Sequence, residues 1–235
     1  MYAKPLPDNA VRARNAAALM MVSMGLFAVF TLKSLLKFFS EEMYFDNLEY
    51  FTIGETVLEG AQTILLIVTA VFFIMWFRRA YNNLHICQAR GLPFSEGWAA
   101  GGWFIPIINW HYPYRVMNAV WTETQNCLRK TNEHYESQTD GYVGWWWTFW
   151  LTGNIVSSIQ VQMILHGNVS TVYDSSIILL DVISDSAMFL SAYLCWRMIR
   201  RTAELESDLQ QRYTEWLAFQ TQQYAQQYQA QQTTL

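Results

Sequence analysis

Residues 60–79 read GAQTILLIVTAVFFIMWFRR, an uncharged apolar run that ends in Trp76 and Phe77 and is closed by Arg78 and Arg79. A bilayer crossing takes about 20 mostly apolar residues at roughly 1.5 Å of rise each. Hydrocarbon offers the backbone no water to bond, so such a run must be helical. Extended upstream to Val57, it predicts a span over 57–77. Three other stretches meet the same test. They are 16–39, with no charge before Lys33, 143–165, with none at all, and 176–199, interrupted by Asp181 and Asp185. The first is longer than a signal-peptide core and no small-x-small site follows it, so it reads as a retained span.

Charge orients these spans. With the N-terminus inside, 13 Lys and Arg residues fall inside, and only Lys33 and Lys37 fall outside. Cytoplasmic loops carry the basic excess, so both termini are expected in the cytoplasm. Residues 97–114 are also uncharged, but Gly97, Gly101, Gly102, Pro106 and Pro113 interrupt them. A crossing there would leave 6 basic residues inside and 9 outside. The segment is therefore expected on the cytoplasmic side, re-entrant or interfacial, as part of a stretch covering 97–129. Tyr114–Arg129 carries Val116, Val120, Trp121 and Leu128 near helical spacing and reads as an amphipathic helix lying on the membrane surface. The expected organisation is a four-span domain over 1–201 and a cytoplasmic tail over 202–235. The tail begins as a helix with Leu205, Leu209, Tyr213 and Trp216 on one face. It ends in a Gln/Tyr-rich, low-complexity segment expected to be disordered.

Composition agrees. Of 235 residues, 52% are hydrophobic, 16% aromatic and only 14% charged, against about 25% charged in soluble chains. This excludes a disordered polar chain, a coiled coil and a disulfide scaffold. With 15 basic against 19 acidic residues, no nucleic-acid partner is expected. Mean hydropathy is only +0.06, diluted by the long cytoplasmic loop and the polar tail. Ten of the 11 Trp residues map to or near the inner boundary, with Trp216 in the tail, and none maps outside.

No GxSxG, HExxH, P-loop or GxGxxG motif is present, so no catalytic residue, metal ligand or cofactor is assigned. Cys87, Cys127 and Cys195 read as reduced, inert thiols on the cytoplasmic side. Asn168-Val169-Ser170 matches a glycosylation pattern that arises easily by chance. The unusual feature is a set of pairs spaced by four: Lys33 and Lys37, Glu55 and Glu59, Asp181 and Asp185. That spacing puts each pair on one helix face. An Asp at mid-membrane costs on the order of 3 kcal/mol, so Asp185 is expected to face the bundle interior. These six residues and Asn154 form a candidate intramembrane polar site. It reads either as a cation or proton path or, more favoured, as a network fixing helix register. Spans 57–77 and 176–199 both open on an acid pair and close on Trp and Arg, a faint parallel repeat.

The stretch from Trp76 to Trp121 carries a further pattern: Trp76, Arg79, Asn82, Gly91, Phe94, Ser95, Trp98, Ala99, Gly101, Trp103, Phe104, Pro106, Asn109, Pro113 and Tyr114. It resembles a bacterial membrane family known as domain of unknown function 4328, with Glu96 in place of a Pro and Ala119 in place of a Glu. The resemblance implies a helical protein of the bacterial inner membrane and brings no activity, cofactor or substrate. Read physically, Trp98, Trp103 and Trp110 can anchor at headgroup depth. Arg78, Arg79, Trp98, Trp103, Pro106, Asn109 and Arg115 outline a candidate interfacial pocket for a lipid headgroup or small molecule. The reading as a whole is an all-α membrane protein with four transmembrane helices, non-enzymatic, serving as scaffold or accessory subunit to a protein partner or a second copy. A small ion-coupled transporter is the alternative, and a lipid-binding protein or membrane enzyme the third.

Overall fold

The computed structural model describes residues 5–39, 48–131, 135–138, 141–166 and 174–233. Among these there is no strand. The helices are α1 (Ala10–Phe39), α2 (Leu48–Ile86), α3 (Trp98–Gly101), α4 (Pro106–Asn109), α5 (Tyr112–Thr131), α6 (Gly141–Leu165) and α7 (Ser175–Thr233). Three of them, α1, α2 and α7, are long and apolar enough to cross a membrane. The fourth expected span, α6, is a helix of 25 residues. It carries no charge, but its Trp, Thr, Asn, Ser and Gln residues keep its hydropathy below that of the apolar stretches of the other three.

The chain divides into two units. Unit 1 comprises Met1–Ala13, Ile74–Asp140 and Arg200–Leu235, and unit 2 comprises Arg14–Phe73 and Gly141–Ile199. One division falls at 199/200, beside the expected 201/202 boundary, and the tail groups with residues 1–13 and 74–140. Helices α1, α2 and α7 contribute residues to both units.

Unit 2 is built of apolar helices that turn many large side chains outward. Val22, Leu32, Ile64 and Ile67 are each more than half exposed. Between these helices lie small and polar contacts. The Ser23 and Thr69 hydroxyls hydrogen-bond at 3.1 Å, and Ser184 Oγ donates to the Gly153 carbonyl at 3.1 Å. A Cβ at Gly153 would sit 2.7 Å from Met188, so glycine is what lets α6 approach α7 there.

Unit 1 has an interior of the soluble kind. Trp76, Phe77, Tyr81, Leu84, Val116, Met117, Val120 and Leu128 are all essentially inaccessible. Helix α2 does not stop at Arg78–Arg79 but runs to Ile86. It closes where Gln88 takes a left-handed φ of 52° and Ala89 N bonds Leu84 O at 3.1 Å, a Schellman-type cap. The apolar face of α5 falls on the residues expected, but protein covers it rather than a membrane surface: Val116, Val120, Trp121 and Leu128 are all buried. Residues 97–114 form neither a span nor one helix. Glycines and Pro106 break them into the single turns α3 and α4. The Gln/Tyr-rich end is helical to Thr233, against the expectation of disorder. Gln and Ala are good helix formers, and extending a helix already in place avoids the nucleation cost.

Candidate functional site

Unit 1 holds its most buried acid where three chain-distant segments meet. Pro5 and Pro7 lead into α1, whose hydrogen-bond ladder begins at the Asn9 carbonyl, 2.9 Å from Ala13 N. Asn9 Nδ2 donates to Glu206 Oε2 at 3.0 Å and to the Trp76 carbonyl at 3.3 Å. Asn83 Nδ2, on α2, donates to Glu206 Oε1 at 3.1 Å and to the Pro7 carbonyl at 3.2 Å. Gln210 Nε2 adds a bond to the Leu6 carbonyl at 3.2 Å. Every N–H of the two amides is thereby used, and each carboxylate oxygen accepts one. The two amide oxygens, Asn9 Oδ1 and Asn83 Oδ1, are buried without a partner. All three side chains line a cavity of about 40 Å³. Burial pushes the Glu206 carboxyl up to about 7, against the pull of the two amide hydrogen bonds.

A second cluster in unit 1 pairs two of the three thiols. Cys87, just past α2, and Cys127, on α5, hydrogen-bond each other. That bond, together with the nearby Lys130 ammonium, lowers Cys127, and the same bond and burial push Cys87 up. The pair opens on a cleft of about 600 Å³ that also contains Lys130, Arg212, Tyr213 and Trp216.

The candidate interfacial residues do not converge. Arg78 pairs with Glu96 at 3.4 Å, both partly exposed. Trp98 lies edge-on to Tyr112 at 5.3 Å and Trp103 edge-on to Phe77 at 6.2 Å, so both turn toward protein. Arg115 lies over the Phe94 ring at 5.0 Å and lines a separate groove with Gly91, Tyr114 and Glu123. Asn109 has a buried, unpartnered Oδ1, Pro106 is exposed and Arg79 is half-buried. An apolar tip is exposed, with Phe104 75%, Ile107 88% and Trp110 58% accessible.

In unit 2 the intramembrane acids are bridged to other helices. Ser34 Oγ on α1 donates to Asp185 Oδ2 at 3.4 Å, and Gln160 Nε2 on α6 donates to Asp181 Oδ1 at 2.6 Å. Lys33, Asp181 and Glu59 lie within electrostatic reach of Asp185. Lys33 Nζ also sits 4.7 Å from the Phe30 ring centre. Lys37 is half-buried, and the Glu55 side chain lies outside the described residues, as does the Asn168 sequon. Asn154 does not join the cluster. It is exposed, and its Nδ2 donates to the Trp150 carbonyl of its own helix at 2.7 Å.

The reading missed Asn9, Asn83, Glu206, Ser34 and Gln160. Only Gln160 stood in plain view, as one of few amides in an apolar run. Asn83 was overshadowed by Asn82, the position in the resemblance, which the structure leaves half-buried. Among the described residues, no group of three or more His, Cys, Asp or Glu is arranged to hold a metal ion.

Among the described residues these features define an all-helical protein with helices of membrane-spanning character, one unit conventionally packed and the other built of apolar helices. The chain belongs to the family described as Domain of unknown function (DUF4328), whose pattern matches residues 44–204. No curated protein and no solved structure matches the chain.

Proposed function

We propose that the protein is a non-enzymatic scaffold or accessory subunit of the bacterial inner membrane, with four spans and both termini in the cytoplasm. Helix α6 is the fourth crossing: it is uncharged and long enough, and Gln160 has a partner in Asp181. Eleven of the fifteen Lys and Arg residues belong to unit 1, which supports a cytoplasmic place for it. The exposed tip at Phe104, Ile107 and Trp110 is then the interfacial anchor.

The observation that carries the scaffold reading is α7. It continues 34 residues past Ile199, about 50 Å at helical rise, and leaves Trp216, Phe219 and Tyr224 exposed. A polar helix studded with uncovered aromatics is suited to lie against a protein partner or a second copy. A photo-crosslinking residue at Phe219, activated in native membranes, is expected to give one discrete adduct. A smear or no adduct would sink the reading.

A second reading, a small cation- or proton-coupled transporter, draws support from the Asp181, Asp185, Lys33 and Glu59 cluster. It requires that Asp185→Asn abolish ion flux in proteoliposomes at unchanged protein level. Under the scaffold reading, the wild-type chain itself carries no such flux.

A further inference from the structure

The Asn9–Asn83–Glu206 cavity presents a problem that its own residues do not solve. Glu206 is 8% exposed, Asn9 4% and Asn83 6%. The titratable side chains lining the cavity are Asp8 and Glu206, both acids, and no basic side chain lines it. A buried carboxylate needs a countercharge or a proton. A proton removes the charge only below about 7, and its single O–H can serve at most one of the two orphan amide oxygens. A water would satisfy Asn9 Oδ1 and Asn83 Oδ1 but would leave the charge uncompensated. One small cation answers both needs, since it is attracted by the carboxylate and accepts lone pairs from both orphan oxygens.

The ligand class follows from size and charge. About 40 Å³ admits an ion with at most a water or two and excludes an organic ammonium group. Oxygen-only donors suit a hard cation. A single central carboxylate balances one positive charge, whereas divalent sites gather several. We propose that this cavity is a binding site for a monovalent alkali cation, held by the Glu206 carboxylate and the amide oxygens of Asn9 and Asn83. The bound ion would clamp the N-terminal segment, α2 and α7 together. This inference stands apart from the scaffold reading, since the site is in unit 1 whatever the exposed arm binds.

The test uses the full chain in detergent at pH 8, with thermal midpoints measured in sodium, potassium or N-methylglucamine chloride at equal ionic strength. A saturable rise in midpoint is expected with sodium or potassium and not with N-methylglucamine. The apparent affinity should fall about tenfold per pH unit below about 7, as protons compete for Glu206. The rise should vanish in Glu206→Gln and persist in Asp185→Asn, which separates this site from the acids of unit 2. Equal midpoints in the three salts, or a rise that survives in Glu206→Gln, would overturn the proposal. Should Glu206→Gln fail to fold, the pH dependence of the wild-type rise decides alone: a pH-independent affinity overturns it.

Discussion

The two units bury acids in opposite ways. In unit 1, Glu206 is almost inaccessible and held by two amides that are themselves buried. In unit 2, Asp181 and Asp185 are half-buried and bridged to other helices, while aliphatic side chains such as Leu32 and Ile64 point outward. One unit makes its apolar environment out of protein. The other leaves that environment to be supplied, as lipid would supply it. The difference teaches that the stability of unit 1 should hang on individual polar groups, and that of unit 2 on close helix contact.

The largest effect is therefore expected at Asn83. Asn83→Leu removes the donors to Glu206 and Pro7 and leaves a buried carboxylate half-satisfied. A loss of about 3 kcal/mol is expected, read by denaturation in detergent together with faster proteolysis of the N-terminal segment. Asn82→Ala, one residue away, should cost under about 0.5 kcal/mol. If the two variants behave alike, the contrast between the units loses its basis.

Next is pH. Glu206 titrates near 7 in the fold against an ordinary value of 4.5, so the folded state binds its proton more tightly than the unfolded chain. Its contribution is present in full below about 4.5 and is lost as pH rises through about 7, a swing of roughly 3 kcal/mol. Without alkali cation, stability should fall across that window, and Glu206→Gln should flatten the profile.

A smaller effect is expected at the helix contact of unit 2. Gly153→Ile would drive side-chain atoms into Met188 and the Ser184 carbonyl, at a cost of about 1–3 kcal/mol and of folded yield. Gly144→Ala, with nothing within 4 Å, should be silent. Smaller still is Asp185→Asn, which keeps a partner for Ser34. Hydrogen bonds between membrane helices average about 0.6 kcal/mol, so the loss should stay below about 1 kcal/mol.

This contrast also marks what the sequence could tell. The helical class, three of the spans and the buried face of α5 follow from local pattern, because hydropathy and helical period act within about 20 residues. The ends of α2 and α7 do not, since Arg78–Arg79 and the Gln-rich tail end apolarity without ending a helix. Nor does the cavity, because Asn9 and Glu206 lie 197 residues apart and only the folded chain brings them together. Asp181 and Asp185 were legible as anomalies in an apolar run, whereas Glu206 stands in a polar stretch where an acid draws no notice.

The last expectation concerns an apolar, exposed place in unit 1. Phe104, Ile107 and Trp110 are the most exposed large apolar side chains among the described residues of the loop. Ile107→Ser should leave stability within about 0.5 kcal/mol, since the side chain is 88% exposed and packs on little. Its surroundings are the informative quantity. A nitroxide at position 107, in a chain with Cys87, Cys127 and Cys195 replaced, should be relaxed by membrane-dissolved oxygen more than by a water-soluble nickel chelate. The opposite order would place the tip in water and remove the anchor. Unit 1 would then have no apolar surface at the tip to explain by lipid, and a protein partner would have to cover Phe104 as well as Phe219.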